Sequence, residues 1–145
     1  MTDPPRDGPA VLLVGIDGSD TSMRAGAYAG GLARRQGARL VILYVRPYSA
    51  LAGMGAGAVT AMRQAHDDIA RELRETVETQ RARLGINAEF VERAGNPFTE
   101  IVRLADELHA DAVIVGASAK AGHRFMGSLA IHLVKAGRWP VTVVP

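Results

Sequence analysis

The sequence predicts an α/β domain built on a parallel sheet with helices on both faces. Two kinds of pattern carry this expectation. Runs such as Val11 to Asp17 (VLLVGID), Arg39 to Val45 (RLVILYV) and Ala112 to Val115 are apolar nearly throughout. Such runs suit strands that are buried on both faces, as parallel strands are. Between them, apolar residues recur every three or four positions, the spacing of one helix face. Five strand patterns alternate with four helix patterns, and no repeat or linker interrupts them. That alternation implies right-handed crossovers and a single layered domain.

Composition narrows the function. A chain of 145 residues supplies one sizeable core and not two. The absence of cysteine excludes disulfides, thiolate nucleophiles and Cys-ligated metals, and fits a reducing, cytoplasmic compartment. With 17 Lys+Arg against 15 Asp+Glu, the surplus is too small to mark a nucleic-acid-binding face. No apolar run approaches the ~18 residues of a membrane span. Residues 1–10 (MTDPPRDGPA) lack an apolar segment and read as a flexible leader, with the domain occupying 11–145.

The elements follow in order. After the first strand, Gly18-Ser19-Asp20 offers a turn and capping oxygens. Ala25, Tyr28, Ala29, Leu32 and Ala33 then form one helix face, with Gly37 as the stop. The second strand ends at Arg46-Pro47, and YSALAGMGAG beyond it reads as a loop without sustained period, a mobile flap over a ligand. The longest helix carries the stripe Met62, Ala65, Ile69, Leu73, Val77, Gln80 and Leu84, with Asp67 and Arg71 spaced for an ion pair. Asp67 and Asp68 read as a solvated face, and His66 has no partner histidine at i+4, so no metal site is expected.

Gly85 stops that helix, and Ile86 to Arg93 alternates as an edge strand does. Asn96-Pro97 supplies a cap and a first-turn proline for a helix that buries Phe98, Ile101, Val102, Ala105 and Leu108. The last helix starts past Gly127-Ser128 and packs through Ala130, Leu133, Val134 and Gly137, and Val141 to Val144 is the final strand.

The stretch from Val113 to Val144 organises the rest. An apolar strand ends at Gly116, a small basic loop follows, and Gly127-Ser128 opens a helix. In that order of elements, backbone N–H groups and a helix dipole can hold an anion such as phosphate. Ligands of open parallel sheets bind beyond the carboxyl ends of strands, where strand order reverses. If the first and fourth strands are neighbours, Asp17 and Gly116 meet there.

With these residues on the page, the chain resembles the universal stress protein family over almost its whole length. The resemblance is carried by VGIDGSDTS, LYVRP, AGNPFTEIVRLA with DAVIVGAS, and GSLAIHLVKAGRWPVTVVP. It implies an open five-stranded sheet of order 3-2-1-4-5 and a homodimer formed through the last strand. It also implies ATP or another adenine nucleotide as ligand, with or without magnesium. Asp17 then matches the acidic residue beside adenosine, Val45 the apolar contact to adenine, and Gly116, Gly127 and Ser128 the phosphate loop. Ala119 stands where the family motif has its second glycine, and seven residues rather than nine separate it from Gly127. Lys120, His123 and Arg124 lie in that shortened loop, where cations would partly replace lost backbone donors.

The function implied is a non-enzymatic nucleotide-binding sensor or regulator of the stress response, cytoplasmic, acting through a protein partner. The alternative is a family member that binds no ATP and serves as a dimeric interaction module. An adenylating or pyrophosphatase-type enzyme is disfavoured because DGSDTS lacks paired glycines for a phosphate after the first strand. A receiver domain is disfavoured because Glu92-Arg93-Ala94 offers no phosphoacceptor aspartate.

Overall fold

The structure is a computed structural model and describes residues 7–47, 53, 55–118 and 127–145. Its elements are β1 (Val11–Ile16), α1 (Asp20–Gln36), β2 (Arg39–Arg46), α2 (Ala56–Leu84), β3 (Asn87–Ala94), α3 (Pro97–Leu108), β4 (Ala112–Gly116), α4 (Ser128–Ala136) and β5 (Val141–Val144). All pairings are parallel and the strand order is β3-β2-β1-β4-β5, as expected. β1 and β4 are central neighbours, in the register Leu12↔Ala112 and Val14↔Ile114.

Alternation along the strands divides the core into two layers. Leu12, Val14 and Ile16 of β1 face α1 and α2, together with Leu40, Ile42 and Tyr44 of β2. Leu13, Val41, Leu43, Val113 and Val115 face α3 and α4. Leu12, Leu13 and Val14 are each 0% exposed, which accounts for the unbroken apolar run of β1.

α1 rests on the sheet through Ser22, Ala25, Ala29 and Ala33, and Gly37 ends it in the left-handed conformation, φ 63°. Tyr28, expected on that face, is 44% exposed. Alanines bring the helix axis close to the sheet, so the buried stripe is narrow and Tyr28 falls outside it.

α2 begins at Ala56, inside the stretch expected to be loop; residues 48–52 and 54 lie outside the described residues. Ala70, Leu73 and Val77 are buried, whereas Ala65 and Gln80 of the expected stripe are exposed. The expected Asp67–Arg71 pair is replaced. Asp67 bonds Arg46 Nη1 at 2.7 Å while Arg71 takes Asp68 at 2.8 Å. Arg46 also bonds Glu92 at 2.7 Å and so ties α2 to the ends of β2 and β3.

Asn96 caps α3, its Oδ1 accepting the Thr99 N–H at 3.1 Å, with Pro97 in the first turn. Asn96→Ala is expected to lower stability by about 1 kcal/mol, read from urea unfolding. α4 packs through Ala130 and Leu133, but Val134 is 49% exposed and Gly137 is the left-handed cap rather than a packing residue. α4 covers only the outer part of the sheet, so the arc it buries is too narrow to include Val134.

Candidate functional site

Asp17 follows the last residue of β1, and its backbone is shaped by the turn after it. Gly18 has φ 88°, a left-handed conformation that a glycine adopts without steric cost. This folds the chain back so that the Ser19 N–H donates to Asp17 Oδ1 at 2.9 Å, and the Asp17 N–H donates to Ser22 Oγ at 3.1 Å. Burial pushes the Asp17 carboxyl up, but hydrogen bonding by Ser19 and Ser22 outweighs it and holds the carboxyl below the ordinary aspartate range. The group stands as a carboxylate at the head of the crevice.

The N-terminus of α1 lies against the end of β4. Thr21 Oγ1 donates to the Ala117 carbonyl oxygen. A Cβ at Gly116 would stand 2.6 Å from both Ser22 N and Thr21 C, closer than real Cβ contacts come. Gly116 therefore has a packing reason that is independent of any ligand. Gly127 is similar: a Cβ there would stand 2.5 Å from the Ser118 Cβ. Its φ of −64° and ψ of 160° are open to any residue, so the neighbour and not the conformation demands glycine. The two stems of the 117–127 connection are thus held together by missing side chains.

These elements enclose a cavity of about 270 Å³. Asp17 and Gly116 meet in it, and Val45 joins them from the end of β2 beside Leu43 and Ile101, giving an apolar side. Gly127, Ser128, Leu129 and Ala130 close it with the first turn of α4. Ser19 caps α1 and Asn96 caps α3 through their side chains, whereas the N-cap of α4 is Gly127, which has no side chain to cap it. Its first-turn N–H groups have no intrahelical partners and carry the positive end of the helix dipole.

Of the expected site residues, Asp17, Val45, Gly116, Gly127 and Ser128 line this one cavity. Ala119 and Lys120, with His123 and Arg124, lie outside the described residues. Sequence reasoning missed Thr21, Ser22, Pro97 and Ile101, which also line it. Hydroxyls in the first turn of a helix are a visible signal, but their contact with a loop 96 positions away is not. No cluster of three or more His, Cys, Asp or Glu side chains suited to a metal occurs among the described residues. Nor is any helix among them long and apolar enough to cross a membrane.

An open 3-2-1-4-5 sheet with a carboxylate, an apolar wall and a glycine-started helix N-terminus around one crevice defines an α/β domain of the Rossmann-like class. Comparison with known proteins is more specific. The model of the universal stress protein family matches residues 11–145. Universal stress protein YxiE of Bacillus subtilis is 31% identical over 143 residues, covering 92% of this chain and 97% of that one. The chain belongs to the universal stress protein family. Among solved structures, universal stress protein UspA from Lactobacillus plantarum superposes with a TM-score of 0.78 at 23% identity, covering 94% of this chain and 97% of that one. A universal stress protein in complex with cAMP superposes with a TM-score of 0.72 at 25% identity, covering 94% and 97%.

Proposed function

We propose that this protein is an adenine-nucleotide-binding member of its family, a sensor or regulator rather than an enzyme. One observation carries the reading. The N-terminus of α4, which starts at a glycine N-cap, opens on the same cavity as the Asp17 carboxylate and the apolar Val45 side. A nucleotide has the matching sequence of groups: hydroxyls for a carboxylate, a flat base for an aliphatic wall, and an anion for a helix N-terminus. The relative bound to cAMP, an adenine nucleotide, supports that choice of ligand class.

In this reading Asp17 accepts hydrogen bonds from the adenosine moiety and Val45 packs on the base. The N–H groups near Gly127 and Ser128 face phosphate. Gly116 shapes the crevice by letting α1 approach. Ala119 and Lys120 complete the loop, and magnesium, where present, accompanies the phosphates of ATP. We assign no reaction, because the sole carboxylate lining the cavity among the described residues, Asp17, is taken up by the adenosine moiety in this reading.

Asp17→Ala tests this reading. It removes a charged hydrogen-bond acceptor and should weaken ATP binding by about 1.5–3 kcal/mol while circular dichroism stays that of the parent. Calorimetric titration of both proteins reads the difference, and equal affinities would take Asp17 out of the site.

Assembly belongs to the same proposal. β5 is an edge strand whose residues Val141–Val144 are all half-buried. Edge strands with apolar side chains and free backbone groups pair with other strands. Pairing of β5 with its copy makes a cytoplasmic homodimer with Trp139 near the contact. Sedimentation equilibrium is expected to give twice the chain mass of 15.4 kDa. A monomer at micromolar concentration would contradict it.

The alternative, a dimeric interaction module without bound ATP, is favoured by Ala119 in place of the motif glycine. An alanine costs steric energy wherever the loop needs φ > 0. Failure of all adenine nucleotides to bind, with the dimer intact, would select it.

A further inference from the structure

On the sheet face opposite the crevice, α1 and α2 leave a second cavity between them. Its volume of about 470 Å³ falls within the range typical of small-molecule sites, roughly 300–1,000 Å³. Ile16 and Ile42 form its floor, and Leu73 and Leu84 wall it from α2. The opposing wall is thin in its middle, where α1 presents Gly26, Ala27, Gly30 and Gly31 between Met23 and Arg34. A Cβ at Gly31 would meet nothing within 4 Å, and one at Gly26 would meet only the Ile16 Cγ2, at 3.7 Å. Glycines inside a helix cost stability; Gly30 lets Leu84 approach to 3.4 Å from where its Cβ would stand, while Gly26 and Gly31 leave a groove beside that contact.

The groove is charged at one end. α1 and α2 both run antiparallel to the sheet strands and so parallel to each other, which brings their last turns to the same end. Arg34 stands in the last turn of α1, and Arg81 and Arg83 in that of α2; all three line the cavity. No aspartate or glutamate lines it among the described residues. Arg81 is 3.4 Å from Glu78, in a solvent-exposed pair, whereas Arg34 and Arg83 have no ion pair among the described residues. Arginines at helix C-termini complement the helix dipole wherever they occur. What separates these is that an apolar groove opens between them.

We propose that this groove binds an aliphatic monocarboxylate of medium chain length, its tail between α1 and α2 and its carboxylate on Arg34 and Arg83. An apolar tail matches the aliphatic floor and the Leu73 and Leu84 wall, and a guanidinium forks a carboxylate with two hydrogen bonds. The proposal does not depend on nucleotide binding, which uses the other sheet face.

Calorimetric titration of the full chain with dodecanoate, below its micelle-forming concentration, tests it. Saturable binding of one dodecanoate per chain is expected, weakening about fourfold for each methylene removed on going to decanoate. Dodecyltrimethylammonium, with the same tail and the opposite charge, should not bind. Arg34→Glu with Arg83→Glu should lower dodecanoate affinity at least about tenfold without changing circular dichroism. Gly26→Leu, whose side chain grows from the Ile16 contact into the groove, should abolish binding; if that variant does not fold, the arginine pair decides alone. No saturable dodecanoate binding, equal binding of the cation, or indifference to the arginine exchange would overturn the proposal.

Discussion

Gly116→Ala is expected to cost the fold about 3 kcal/mol and to lower Tm by about 10 °C, among the larger effects of adding one methyl group. The added Cβ would lie 2.6 Å from Ser22 N and Thr21 C and 2.7 Å from the Thr21 carbonyl oxygen. These are backbone atoms in the first turn of α1 and cannot rotate away as a side chain can. Nor can α1 retreat easily, because Ala25, Ala29 and Ala33, 0–1% exposed, seat it on the sheet. Urea unfolding measures the loss. A change below about 0.5 kcal/mol would mean that α1 and β4 do not meet as closely as described.

Gly127→Ala should act on binding more than on folding. The 127 backbone conformation suits alanine, but the new Cβ would stand 2.5 Å from the Ser118 Cβ and separate the two stems of the loop. The first turn of α4 is then displaced from the cavity, and its N–H groups no longer converge with Asp17. Loss of such charge-assisted hydrogen bonds is expected to weaken ATP roughly 10- to 100-fold. Ser118→Gly in the same chain removes the obstructing Cβ and should restore most of the affinity. Rescue of this kind separates displacement of the stems from direct obstruction of phosphate, since an alanine that blocked phosphate would still block it. Unchanged affinity in the single variant would remove the α4 N-terminus from the site.

The sheet was legible because its strands are buried on both faces. Leu12, Leu13 and Val14 must all be apolar, so the run announces a central strand without any alternation to interpret. Strand order was legible only through the family resemblance, since nothing local to β1 states that β4 lies beside it. Periodicity identified each helix but misjudged how wide a stripe it buries. Tyr28 and Val134 fit the spacing yet lie in solvent, because that width depends on how closely each helix rests on the sheet.

The candidate site was legible in its residues and less so in their reasons. Asp17, Val45, Gly116, Gly127 and Ser128 do line one cavity. The motif reading gave Gly116 to phosphate, and the structure adds that its missing side chain admits α1. The contact of Thr21 with Ala117 and the bond between Asp67 and Arg46 join elements far apart in the chain, and no local pattern encodes such partners.

Mapping of backbone amide shifts by NMR during titration with ATP, AMP and cAMP tests the central claim most directly. Binding at the crevice between β1 and β4 is expected to move the amides of Asp17, Gly116, Gly127, Ser128 and Leu129 together, saturating with one nucleotide per chain and leaving Gly31 and Leu84 on the opposite face still. No shift with any of the three nucleotides at millimolar concentration, or shifts confined to the groove between α1 and α2, would contradict it.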